Sequence, residues 1–300
     1  MANSIELAEK FMPILDGIYK TASKTARMDS PTLPFDGADT VKVFKTNVVG
    51  LGAYSRTTGY PVGDVTGVWE ALQLTQSRGR EFNIDRMDNE ETLGMAFGKL
   101  AGEFVRTQVV PEVDAYRFAK YANDANIQKV GAGATLDSST VVAAIDAAIA
   151  ALNAEEVPED GRILYISDSV KGFLESAINR TLSNENAADK RLNYYNGMEV
   201  VMVPQKRFYT AITLDPGATA NAGGYAKTAA TGADINFMII YPESVLQATK
   251  LANLKIFDPQ TNQGMDAWKF QYRLYHDAFV YQNKAKGIYL HMKAAEYLED

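Results

Sequence analysis

Two histidines and no cysteine are the whole supply of imidazole and thiol groups in this 300-residue chain. His276 and His291 lie 15 residues apart, with no cysteine to complete a tetrahedral metal set. Asp277 follows His276 as an orienting carboxylate would follow a base, yet neighbouring strand residues point to opposite faces, so the two cannot face each other. Structural roles are expected for both histidines. Asp85, Asp88, Glu90 and Glu91 form an acidic cluster that could hold a divalent cation or divide acid and base work. A helix start explains much of the same cluster, with Asp88 as N-cap and Glu91 as its capping-box partner. The glycine pairs Gly50–Gly52 and Gly131–Gly133 have Ser55 and Leu136 where a dinucleotide-binding turn needs its third glycine, and no P-loop sequence occurs. No catalytic residue, metal or cofactor is expected.

Residues suited to holding another protein chain are more informative. Gly50, Gly52, Gly59, Pro61, Gly63 and Gly67 crowd one segment that also carries Tyr54, Arg56 and Tyr60, with Trp69 just beyond it. A segment so rich in glycine cannot bury itself, and is either floppy or ordered by a partner. Arg78, Arg80 and Arg86 point to ion pairs within the chain or across a subunit boundary, each worth about 0–1 kcal/mol, enough to set register rather than affinity. Gly94, Gly98 and Gly102 recur every fourth residue on a predicted helix, each costing about 1 kcal/mol relative to alanine. Tight packing on the chain's own sheet and a close approach by a neighbouring subunit's loop would both compensate. Tyr54, Arg56, Tyr60, Trp69, Arg78, Arg80, Gly94, Gly98 and Gly102 are therefore the candidate inter-subunit contacts.

The elements that must position these residues follow from periodicity. Residues 4–12 read as a short helix with Ile5, Ala8 and Met12 on one face, ended by Pro13, and the basic, proline-bounded stretch from Tyr19 to Phe35 reads as an extended strap. Strands are expected at Val41–Val49, Val68–Gln76 and Arg80–Asp85, with Ser77–Gly79 as a tight turn and the glycine-rich link as a protruding loop. A long helix begins at Asp88, with Leu93, Phe97, Leu100 and Phe104 on one face. From Asn89 to Val110 it would span about 33 Å, and Pro111 either kinks it or opens a second helix. After Gly133 the texture alternates: a helix stripe at Val141, Ile145, Ala148, Ile149 and Leu152, a strand at Arg162–Ile166, a helix at Val170–Ile178, and strands at Met198–Val203 and Ile235–Tyr241. Pro216–Asp234 reads as a mobile loop of small residues, Pro242 as the start of a helix to Leu251, and Leu254–Phe257 and Trp268–Val280 as strands.

Composition bounds the rest. A chain of this length with 46% hydrophobic residues can build sizeable cores in about two domains. A net charge of −7 argues against a surface that grips nucleic acid. No run approaches the ~18 apolar residues of a membrane span, and Glu6 and Glu9 stand where a secretion signal needs cations, so the chain is expected to remain in the cytosol.

The order of parts resembles the major capsid proteins of tailed phages with the Hong Kong 97-type fold. Three blocks carry the resemblance: Leu74–Asp85 into Asp88–Thr92, RTQVVPEVDAYRFAK at 106–120, and PQTNQGMDAWKFQYRLYHDAFV at 259–280, with YISDSVKGFL and GMEVVMVP between them. It implies an α+β fold with an N-terminal arm (1–40), an extended β loop (41–85), a peripheral domain with a long spine helix (86–132 and 242–300), and an α/β axial domain (133–241). It further implies hexamers and pentamers closing into an icosahedral shell around double-stranded DNA, assembled in the host cytoplasm with a portal protein and a separate scaffolding protein. A decoration protein is left open. Some members cross-link through a lysine in the extended loop, whereas this chain has no lysine between Lys45 and Lys99. An encapsulin-like nanocompartment shell shares the fold and is the alternative reading; an oligomeric cytosolic α/β enzyme is the remaining one.

Overall fold

The computed structural model describes residues 22–30, 35–37, 39–87, 95–130, 133–178, 192–219, 222–262 and 264–293, the side chains of 95–99 excepted. The expected helix over 4–12, the Asp88 cap with Glu90 and Glu91, and Gly94 lie outside these residues.

A long hairpin comes first. Strand β1 (Phe35–Asp36) pairs with the start of β2 (Thr40–Val48), which runs antiparallel to β3 (Val65–Gln73) from Thr40↔Gln73 to Val48↔Val65. Strand β4 (Gln76–Asp85) follows after two residues. It includes Ser77–Gly79, so the tight turn expected there is instead a continuous strand, and the corner lies at Leu74–Thr75. Gly79 fits because a side chain would crowd the Tyr272 carbonyl: its Cβ would stand 3.0 Å from that oxygen.

Helices α1 (Met95–Phe104) and α2 (Val110–Asn123) flank a π-helical turn at Val105–Val109. Pro111 cannot donate to the Thr107 carbonyl, and its ring would collide with that group in a regular α-helix. The wider turn absorbs this, so the helix continues through the proline to Asn123.

Helices α3 (Val141–Ala154) and α4 (Asp168–Ala177) belong to a six-stranded sheet of order β5 (Gln128–Lys129), β14 (Ile288–Met292), β11 (Ile235–Ile240), β6 (Ile163–Ser167), β8 (Met198–Val203), β7 (Tyr194–Tyr195). Every residue of β6 and β11 is buried, as expected of strands covered on both faces. One face carries the α3 stripe Val141, Ile145, Ala148, Ile149 and Leu152. Asp137 opens α3 by accepting first the Ser139 hydroxyl and amide and then the Thr140 hydroxyl and amide, which together hold its carboxyl down at about 2. The C-terminal β14 lies in this sheet, so the sheets do not follow the boundary drawn at residue 241.

A three-stranded sheet stacks β12 (Val245–Phe257), β13 (Ala267–Val280) and β4. The helix expected from Pro242 to Leu251 is a single 3₁₀ turn, Pro242–Ser244, followed by β12. The helix formers of LQATKLANLK yield to twelve register pairs with β13, because strand pairing and burial override weak local propensity. Likewise, Pro216–Asp234 is not simply a loop: β10 (Tyr225–Lys227) pairs with β9 (Ile212–Leu214).

The strap is also more ordered than its composition implies. Ala26–Met28 forms a 3₁₀ turn, and Met28 enters the core with Phe118, Tyr121, Tyr165, Val201, Phe208, Met238, Val245 and Ala278, residues drawn from both large sheets and α2. Asp114 on α2, fully buried, accepts from Ser23 Oγ at 2.7 Å, the Lys24 amide at 2.9 Å and Thr25 Oγ1 at 2.7 Å. One turn on, Arg117 donates to Thr25 Oγ1 at 2.9 Å and pairs with Asp29 at 3.0 Å. Exposed Arg27 reaches Glu199 on β8. Of the basic residues in the strap, Lys24 is thus tied to a buried carboxylate through its backbone, not its charge.

Asp114→Ala would strand these donors in the core and should lower subunit stability by about 3–5 kcal/mol in urea denaturation, while exposing residues 22–30 to protease. A loss under about 1 kcal/mol would show that the strap is held by Met28 instead.

Candidate assembly surface

The hairpin β2–β3 presents one face to the body and one to solvent. Val41, Val43 and Leu72 face inward with Leu74, Leu246, Ala248 and Tyr275. Further out on this side Lys45 pairs with Glu70 at 2.5 Å and donates to Gln282 at 2.9 Å. The opposite face carries an apolar patch beyond Lys42: Phe44 lies against Trp69 with ring centroids 4.9 Å apart, Val48 is opposite Val65, and Gly67 leaves the room that the Phe44 ring fills. Beyond the strands, Tyr54 packs on Tyr60 at 4.9 Å, and a bridge from Ser55 to Gly59 closes the tip around exposed Arg56. Gly59, at φ +83°, makes the turn.

Among the described residues nothing covers this surface. Leu51 is 107% exposed, Val62 99%, Tyr60 85% and Trp69 64%. Of the fifteen strongly exposed large hydrophobic residues among those described, ten lie between Phe44 and Trp69. Apolar patches of this extent mark contact surfaces.

The hairpin's root is held by polar groups. Asp39 Oδ2 accepts from Gln73, and its carbonyl from the Leu74 amide at 2.8 Å. At the corner, Thr75 donates through its amide (2.9 Å) and hydroxyl (2.8 Å) to Asp277, which is fully buried and also accepts from Tyr116 Oη at 2.7 Å. Burial and the Asp277 charge push the Tyr116 phenol up, so it stays a donor. Asp277 thereby ties the hairpin corner to α2.

The other candidates fall elsewhere. Arg78 forms a bidentate pair with Glu112, at 2.7 and 3.1 Å, and donates to the Asp215 carbonyl; Arg80 donates to the Ala222 carbonyl at 2.9 Å. Both are thus engaged within the chain. Leu100, Ala101, Phe104 and Val105 pack on Phe82, Leu254, Phe270 and Tyr272 of the three-stranded sheet. Gly98 stands one turn before Ala101 and two before Val105, and half-buried Gly102 one turn before Val105. The glycines therefore border the row that packs on the chain's own sheet. Ser23, Thr25, Asp114 and Arg117 escaped sequence reading. The available signal was a lone Asp–Arg pair three residues apart among the apolar residues of VPEVDAYRF.

Both histidines are buried. His291 meets Asn236 at 3.1 Å and stacks on Phe237. His276 lies edge-on to Tyr116, its Nδ1 without a hydrogen-bond partner among the described residues. It does not face Asp277, but both meet Tyr116. Burial, then the Arg117 charge, depresses the His276 imidazole to about 3, with Asp277 opposing and Arg78 adding to the shift. Because the unfolded chain takes up this proton near 6.5 and the folded chain only near 3, full stability is present above 6.5 and is lost as pH falls through that window. His276→Gln should remove this component. The wild-type stability should fall relative to the variant by about 1.4 kcal/mol per pH unit between those values, and parallel curves from denaturant titrations would contradict it.

Neither a protein-family model nor a curated protein sequence matches the chain. Solved structures do. The capsid of cyanophage P-SCSP1u matches at 13% identity over 90% of this chain and 87% of that one, TM-score 0.57. The capsid of an empty GTA particle matches at 15% over 92% and 97%, TM-score 0.56. A virus-like particle from Pyrococcus furiosus matches at 10% over 95% and 99%, TM-score 0.55. At such identities the likeness is one of fold, and by it the chain has the Hong Kong 97-type fold of phage capsid proteins.

Proposed function

We propose that this chain is the major capsid protein of a tailed phage, a noncatalytic subunit that assembles with its own copies into hexamers and pentamers and closes an icosahedral shell around double-stranded DNA. The observation that carries the reading is the hairpin from Phe44 to Trp69, whose apolar face the described residues leave uncovered. Its neighbours in the shell are second copies of itself. A portal protein, a separate scaffolding protein and, where one is present, a decoration protein complete the particle. The net charge of −7 suits a wall that encloses DNA with only weak, non-specific contact.

The second reading, an encapsulin-like nanocompartment shell, is compatible with the same fold and with the likeness to a virus-like particle, and is not favoured over the capsid. Particle contents separate the two: nuclease-protected DNA supports the capsid, whereas a protein cargo without DNA supports the compartment.

The expressed chain, with its scaffolding partner, should form rings or closed shells in light scattering and negative-stain images. Trp69→Ser and Leu51→Asp should leave the circular dichroism of the subunit unchanged yet block assembly, since buried aromatic anchors commonly carry about 2 kcal/mol or more each. A wild-type chain that stays monomeric or dimeric at every concentration would overturn the reading.

Cohesion should be noncovalent. Arg56 is the cation at the hairpin tip, and a guanidinium stays protonated and is a poor nucleophile. Lys42 and Lys45 stand near the root, beside Asp36 and Glu70. Assembled shells boiled in detergent should therefore run as single 32.9 kDa chains, and a ladder of multimers mapped to the hairpin would contradict this.

A further inference from the structure

We propose that Arg78 and Arg80 form a clasp between the three-stranded sheet and the small-residue hairpin β9–β10, and that this clasp limits rotation of the α/β domain about the core shared by the two. Both arginines project from the same face of β4, two residues apart. Arg78 Nη1 donates to the Asp215 carbonyl at 2.7 Å and Nη2 to the Gly224 carbonyl at 3.3 Å, while Arg80 Nη1 donates to the Ala222 carbonyl at 2.9 Å. The acceptors are backbone carbonyls at the turn end of β9–β10, and glycine lets that backbone wrap the cations. Gly217, Gly223 and Gly224 have φ of +70°, +136° and +82°. A Cβ at Gly217 would stand 3.2 Å from Arg80 Nη1, and one at Gly223 3.6 Å. What reads in the sequence as a featureless run of alanine and glycine is thus a receptacle for two guanidinium groups.

The opposite side of the same guanidinium is fixed by Glu112 of α2, so Arg78 joins β4, the spine helix and the α/β domain in one cluster. Burial weighs against the charged form, but the Glu112 carboxylate outweighs it and strengthens the cation.

Two features make the clasp a joint rather than a weld. No residue of β9 or β10 is fully buried, so no apolar seal backs the polar contacts. The hairpin is tied to its own domain through Tyr225 Oη to the Lys206 carbonyl and Lys227 to Asp234, and β9 also runs beside α2. Beneath it a cleft of about 380 Å³ separates it from Phe82, Phe104 and Tyr272. The two sheets share a core at Val245 and Ala278; on β13, Ala278 lies beyond Leu274 and Tyr272, the residues paired with Arg78 and Arg80. The core is the pivot and the clasp restrains the far side.

The chain has no cysteine, so one spin-label pair can be placed cleanly at Ala226→Cys, exposed on β10, and Asn83→Cys, exposed on β4. Labelled full-length chain is diluted with unlabelled chain, and intrasubunit distances are read by double electron–electron resonance, with circular dichroism and melting as fold controls. The parent should give one narrow distance distribution. Arg78→Ala/Arg80→Ala should widen it about twofold or more, and Arg80→Ala alone should widen it less, which serves if the double variant does not fold. Arg273→Ala, on the adjacent strand and reaching only as far as Ser77 at 3.3 Å, should keep the parental width. Unchanged width in the arginine variants, or equal widening in Arg273→Ala, would overturn the clasp.

Discussion

The constraint on which the rest of the molecule depends is an apolar hairpin too thin to cover itself. Two strands make a ribbon with two faces, and burying one face on the body necessarily leaves the other in water. Here the outward face carries Phe44, Trp69, Val48 and Val65, and the tip adds Leu51, Tyr54, Tyr60 and Val62. Leaving that surface wet forgoes roughly 25 cal/mol for every Å², so a second molecule is the natural place for it. The body is then arranged to hold the ribbon out at a fixed angle.

That holding is polar and buried, not simply hydrophobic. Asp277 fixes the corner through Thr75 and Tyr116, while Asp114 fixes the strap through Ser23, Lys24 and Thr25. Asp114 belongs to α2 and Asp277 is bonded to it through Tyr116, and removing either carboxylate leaves several donors unsatisfied. Apolar packing tolerates small rotations, whereas multiply bonded carboxylates fix direction. The spine helix therefore serves as the common reference for strap, hairpin and both sheets, and its π turn lets it remain continuous past Pro111.

Legibility in the sequence tracked how local the physical cause was. The α3 stripe and the buried strands β6 and β11 are readable because burial on one stripe, or on both faces, leaves a periodic or continuous apolar run. The resemblance supplied the order of parts. Strand β12 read as a helix because its partner β13, which decides the matter, is remote in sequence. Ser77–Gly79 read as a turn because glycine marks both turns and close approaches, and only the Tyr272 carbonyl tells them apart. The residues from Pro216 to Asp234 gave no local sign of order, since what shapes them is Arg78 and Arg80, more than a hundred positions earlier. Glycine content is what makes the hairpin's exposure legible in the sequence. Its apolar face is not legible there, because exposed valines are indistinguishable from core valines until the sheet is known.

Electron cryomicroscopy of particles assembled from the chain tests most directly whether a second copy covers this hairpin. In the map, Phe44, Leu51, Tyr60 and Trp69 are expected to lose most of their solvent exposure against an adjacent subunit. A particle in which the hairpin stands free in solvent, or in which these residues fold back onto their own subunit, would contradict it.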